Sequence, residues 1–100
     1  MKPLFIPLNT EHYNAFENGS KVWEFRLYGK RWNEKTCEIG RPVTLSKGYG
    51  KQNRIHGKIE FFLKDDVTKM CESTQKIIFS IYGDKAYQGI ASIRISKQEK

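Results

Sequence analysis

The stretch Val22-Trp23-Glu24-Phe25-Arg26-Leu27-Tyr28 alternates without a break: Trp23, Phe25 and Leu27 fall on one side, Val22, Glu24, Arg26 and Tyr28 on the other. Period-two alternation, rich in aromatic and branched residues, specifies a strand whose successive side chains point to opposite faces. The apolar set belongs to a core. The rest of the chain supplies partners for such a strand. Phe5–Leu8 reads as a short first strand bracketed by Pro3 and Pro7, and a proline there marks a sheet edge or end. Val43–Ser46 follows Arg41-Pro42. Ile55–Leu63 returns as a long strand with Ile55, Ile59 and Phe61 in phase and Gly57 as a candidate bulge. Gly89–Ser96 closes the chain, with Ala91, Ile93 and Ile95 inward and Ser92, Arg94 and Ser96 outward.

Between the first two strands, Asn9 or Thr10 caps a helix that runs to about Asn18, with Tyr13, Ala15 and Phe16 on one narrow face and Gly19 as its stop. Asp65 or Asp66 caps a second helical region whose apolar face is Val67, Met70, Cys71, Ile77, Ile78, Ile81 and Tyr82. Ser73-Thr74 weakens its middle, so two short helices, or a helix and a strand, are both compatible with it. Gly29–Gly40 reads as a loop, Lys47–Arg54 as a long hairpin tip, Gly83-Asp84 as a turn and Lys97–Lys100 as a frayed tail. Strands dominate and connections are short. The expected class is α+β, mostly β: a single domain over residues 1–100, built as a small, mostly antiparallel β-barrel with one or two helices packed against it.

The charge is not evenly spread. From Lys21 to Lys58 there are ten Lys or Arg against three acids, which accounts for the whole net charge of +7, while the remainder balances. Such a concentration favours a polyanionic partner. No apolar run reaches the roughly 20 residues needed to cross a bilayer, and the N-terminal Leu4-Phe5-Ile6, cut by Pro7, is no signal peptide. Cys37 and Cys71 are too few for a disulfide framework or a zinc site; they read as free thiols of a cytoplasmic protein, Cys71 buried. No metal or cofactor is implied, and a monomer is assumed.

Three groups of residues carry candidate chemistry. Lys21, Glu24 and Arg26 place an ammonium, a carboxylate and a guanidinium on or beside one strand. They suit a cleft for a nucleobase or phosphate, or else form an exposed ion pair of little energy. Lys30, Arg31 and Trp32 suit single-stranded nucleic acid, with Lys30 and Arg31 on phosphates and the Trp32 indole stacked on a base; alternatively Trp32 covers the open end of the barrel. Lys47, Tyr49, Lys51 and Arg54 lie on a glycine-flexible loop that either reaches into a groove or is a solvated tip. His12 and His56 stand alone in the sequence, and His56 reads as structural.

The run Gly19-Ser20-Lys21-Val22-Trp23-Glu24-Phe25-Arg26, directly after a first helix, resembles the Gly-x-Lys-x-x-Glu-x-Arg signature of the ASCH domain family, itself similar to the PUA domains of RNA-modifying enzymes. Gly40-Arg41-Pro42-Val43 also resembles the family's glycine step into the next barrel strand. The resemblance implies a PUA-like barrel with a cleft between barrel and helices, lined by Lys21, Glu24 and Arg26. It implies binding of RNA, favoured over DNA, or of a nucleoside or nucleotide. The basic residues named above would add contacts to single-stranded nucleic acid. As an alternative it implies a small hydrolase, either an amidohydrolase of acetylated cytidine or a ribonuclease, with Lys21 and Glu24 catalytic. In the deacetylating branch the motif Lys is catalytic, a Thr occupies the Glu position and a separate Glu lies in the downstream helical region. Here Glu24 stands at the Thr position and Glu72 is the only acid near the downstream one. A protein-binding role, with the basic segment on an acidic partner, is the third reading.

Overall fold

Five strands form one sheet in the order β1-β3-β4-β5-β2. The computed structural model describes residues 2–98, with β1 (Leu4–Leu8), α1 (Thr10–Glu17), β2 (Trp23–Leu27), β3 (Pro42–Lys47), β4 (Arg54–Asp65), a 3-10 turn (Val67–Lys69), α2 (Glu72–Tyr82), a longer 3-10 segment (Gly83–Gln88) and β5 (Ile90–Lys97). Glu99 and Lys100, at the end of the expected tail, lie outside the described residues. β1 runs parallel to β3; the pairs β3–β4, β4–β5 and β5–β2 are antiparallel. The sheet curls into a half-barrel with two helices against it, the α+β architecture of a small PUA-like barrel. β1, the strand that carries Pro7, is an edge, where the missing N–H costs no ladder bond.

The two faces of the sheet bury two cores. Inside the half-barrel, Leu4, Ile6 and Leu8 of β1 meet Val43, Leu45 and Ile59 of the middle strands and Ala91, Ile93 and Ile95 of β5; Tyr13 and Phe16 of α1 close one end, Trp32 and Cys37 another. On the opposite face, Val67, Ile78, Ala86 and Ile90 form a smaller core joined by Phe25 and Leu27 of β2. β5 is therefore buried on both faces. Ser92, expected outward, is 1% exposed because α2 and its flanking 3-10 segments cover the outer face there.

The same two-sidedness changes the reading of β2. Phe25 and Leu27 do enter a core, but it is the outer one, and Trp23 remains half-exposed. Glu24 and Arg26 stand opposite Ile93 and Ala91, on the face that looks into the half-barrel.

In β4 the expected phase holds through Ile59 and then breaks. The irregularity lies between Ile59 and Phe61, so Phe62 turns inward and Phe61 is left 47% exposed. Gly57 is not that bulge. It is a close approach, since a Cβ there would stand 2.4 Å from the Ser96 carbonyl oxygen. The second helical region divides as its sequence allowed: Asp66 caps the 3-10 turn through Thr68 N–H (2.9 Å), and α2 starts after Cys71. Of its expected apolar face only Val67 and Ile78 are fully buried. Ile77, Ile81 and Cys71 are exposed, and Cys37 is the buried thiol. Among the described residues no helix is long and apolar enough to cross a membrane.

Candidate functional site

Curling leaves a seam between the edge strands β1 and β2, and the guanidinium of Arg26 spans it, donating from Nη2 to the Pro7 carbonyl at 2.7 Å. Beside this bridge lies a cleft of about 280 Å³. Its floor is polar, made by Lys21, Glu24, Arg26 and His12; its roof is the apolar side of α2, chiefly Ile77 and Ile81.

Each floor residue is held by local structure. Asn9 caps α1 by accepting from the His12 N–H at 2.9 Å, which fixes the first turn against the end of β1. Gly19, at φ 85°, takes the left-handed conformation that ends the helix, and Lys21 N–H then donates back to the Ala15 carbonyl at 3.1 Å. That turn delivers Lys21 beside β2. Trp32 supports the far side: its ring is 8% exposed, and the Arg26 guanidinium lies 5.0 Å from its centre. Asn33 organises the loop around this indole, donating to the Gly29 and Lys30 carbonyls and accepting from the Lys35 and Thr36 N–H groups.

Glu24 is the centre of the arrangement. It is 6% exposed, and a carboxylate removed from water costs several kcal/mol unless it is paired. Both oxygens are engaged: Oε2 accepts from Arg26 Nε at 2.7 Å, and Oε1 lies 3.3 Å from Lys21 Nζ. Lys21 Nζ also sits 3.0 Å from His12 Nδ1. An ammonium only donates, so this nitrogen of His12 is the acceptor and the ring proton belongs on Nε2. Two cations against one buried anion leave the floor with an excess of one positive charge. Tyr82 adds a neutral hydroxyl to the wall. Burial pushes its pKa above the ordinary phenol value, Arg26 opposes the rise, and Glu24 adds to it.

The other sequence candidates fall around this cleft, not in it. Arg31 is exposed, its guanidinium 5.2 Å from the centre of the Trp32 ring that also carries Arg26. Lys30 is exposed. Trp32 takes the second of its two readings: buried in the inner core and flanked by arginines, it covers the barrel end and offers no free face for a base. Lys47 lies over the Tyr13 ring at 5.2 Å, and the Gly48 N–H donates to the carbonyl of Leu8, a cleft residue, so the 47–54 loop between β3 and β4 is pinned at its start to the cleft's β1 wall. At its tip Tyr49 is 82% exposed, Lys51 is exposed, and Arg54 stacks over Phe5 at 5.4 Å.

Sequence reasoning missed four contributors. His12 and Thr74 line the cleft, and Ile77 with Ile81 roof it instead of filling a core. Glu72, the acid considered for the downstream position, is exposed in the first turn of α2 and outside the cleft lining; Thr74 occupies that wall. Among the described residues no group of His, Cys, Asp or Glu is placed to hold a metal ion.

No protein-family model and no curated protein matches the sequence. Solved structures do match its shape. A hypothetical protein, PH0355, superposes with a TM-score of 0.71 at 17% identity, over 97% of this chain and 100% of its own. Protein PF0455 from Pyrococcus furiosus gives 0.65 at 14% identity, over 99% of this chain and 100% of its own. A point variant of ZmASCH from Zymomonas mobilis gives 0.65 at 15% identity, covering 95% of this chain and 69% of that one. At such identities the likeness concerns backbone architecture, and with the curled sheet and the seam cleft in view the conclusion is that this chain has an ASCH-like fold.

Proposed function

We propose that the seam cleft binds a nucleotide unit of single-stranded RNA, with the basic 30–31 and 47–54 segments contacting the flanking phosphates. One observation carries this reading: Lys21, Glu24 and Arg26 converge within hydrogen-bond and ion-pair distance on the floor of a cleft of about 280 Å³ roofed by apolar side chains. An apolar roof packs on a base face. Glu24 offers lone pairs to exocyclic amines, while Lys21 and Arg26 supply charge-assisted donors to a base edge or phosphate. The surrounding positive excess draws the strand in. The ASCH-like fold and the PUA likeness of that family agree with an RNA ligand. The test is calorimetric titration with mononucleotides and short RNA and DNA oligomers. Micromolar binding to RNA that weakens in Lys21→Gln and Arg26→Lys is expected; equal affinity of both variants for every ligand contradicts it.

A hydrolase acting on a modified nucleoside is the second reading, favoured by the 3.0 Å contact between Lys21 Nζ and His12 Nδ1. That contact gives the Lys21 ammonium a neighbouring base to take its proton, as an amine nucleophile requires. Turnover of acetylated cytidine, lost in both Lys21→Ala and Glu24→Ala, is its expected signature. Activity unchanged in both variants rejects it.

A further inference from the structure

A second hollow, of about 250 Å³, lies on the outer face of β2 between the sheet and the start of α2. Its lining shares Phe25 and Thr74 with the seam cleft, so the two hollows are neighbours separated by little more than one aromatic side chain. We propose that this hollow is a second base subsite, and that the protein holds two successive nucleotides of one strand, splayed on either side of Phe25, with an amino-bearing base in the second position. The proposal rests on the nucleotide reading of the first cleft.

The second hollow has the parts such a subsite needs. Trp23 provides a ring face whose pose is set from outside: Phe61 meets it edge-on at 6.3 Å and 87°, and the Arg94 guanidinium lies 5.9 Å from its centre. Arg94 is in turn anchored by Glu60 at 2.6 Å. Leu63 remains 43% exposed at the rim although it sits on a sheet with two buried cores. An apolar residue left open beside a concave site is what a ligand would cover. The polar end is Asp65. The hydroxyl of Ser92, itself 1% exposed, donates to Asp65 Oδ2 at 3.1 Å and fixes the carboxylate. The other carboxylate oxygen then accepts from an exocyclic amine. Uracil, which presents a carbonyl at that edge, is disfavoured there. Adjacent bases of a single strand are readily unstacked around an aromatic side chain, and each base gained on an aromatic platform adds measurable affinity.

Cys71 supplies the reporter. It is exposed and lines the second hollow, whereas Cys37 is 1% exposed, so a maleimide marks the hollow selectively. The experiment titrates the intact protein with UMP, CMP and AMP and with dinucleotides joining uridine to uridine, cytidine or adenosine in both orders. Cys71 labelling is followed in parallel. Expected is a gain of about tenfold or more for dinucleotides carrying an amino base over either mononucleotide, the size one stacked base brings. The same dinucleotides slow Cys71 labelling. Asp65→Asn, which adds a donor, erases the dinucleotides' preference for an amino base over uridine and leaves UMP affinity, which belongs to the seam cleft, unchanged. Prior maleimide labelling abolishes the gain, which keeps the test independent of how that variant folds. Mononucleotides that bind while dinucleotides bind no better and leave Cys71 unprotected overturn the second subsite alone. Absence of binding by every mononucleotide and dinucleotide overturns both readings together.

Discussion

Glu24 is a carboxylate that the sheet has drawn out of water, and Lys21 and Arg26 are the reason it can stay there. Glu24→Gln keeps the shape but removes the charge that holds two cations together. The expected loss is about 2 kcal/mol in urea unfolding, below that of a fully buried pair because both cations keep some contact with water. Cys71 gives a second residue-scale prediction. Hydrogen bonds from Ser73 first, then Thr74, lower its thiol to about 7. The thiolate is the nucleophile, so alkylation of Cys71 should rise with pH to half its plateau near pH 7, and Ser73→Ala should move that midpoint upward; a midpoint already near the ordinary thiol value in the parent protein contradicts the assignment. At this scale the sequence was half legible. Alternation alone put Glu24 and Arg26 on a shared face. It could not tell that this face looks into the half-barrel, because that depends on a curl whose other wall, Pro7 and Leu8, lies far away in sequence. His12 and Thr74 were invisible for the same reason: each reaches the cleft only after the curl brings β1 to β2 and α2 is laid across them.

Among the elements, α1 and β4 show where local signals suffice and where they fail. The cap at Asn9 and the stop at Gly19 were readable because both act on their own helix. Asn9→Ala removes the bond to His12 N–H and should cost about 1 kcal/mol. It should also loosen the His12–Lys21 contact, visible as altered His12 side-chain NMR signals. In β4 the sequence offers Gly57 as a candidate bulge, whereas the irregularity lies between Ile59 and Phe61. A bulge depends on pairing with β5, and glycine has two distinct uses in a strand. Here the reason is contact. A methyl at position 57 meets the Ser96 carbonyl, so Gly57→Ala must push β4 from β5 and should lower stability by about 1–3 kcal/mol, measured by thermal unfolding. No loss of stability would contradict the close approach of the Ser96 carbonyl to position 57.

Across the whole molecule, the ten cations between Lys21 and Lys58 do not act as one patch. Arg41 is consumed by structure, donating to the Lys2 and Thr36 carbonyls. Lys21 and Arg26 form the cleft floor, and Arg31, Lys47, Lys51 and Arg54 are distributed over the two loops that flank it. RNA binding should therefore weaken linearly in log affinity against log salt, with a slope of about −2 to −4 for a handful of phosphate contacts; a flat response would exclude the loops from the interface. Mononucleotide binding, centred on the cleft, should respond far less. The most direct test of the cleft itself is a nitrogen-edited NMR titration of the intact protein with a mononucleotide. Resonances of Leu8, Glu24, Arg26 and Thr74 should shift together and saturate at one affinity. Shifts confined to the 47–54 loop, or no shifts at any of these four residues, would show that the seam between β1 and β2 is not where the ligand goes.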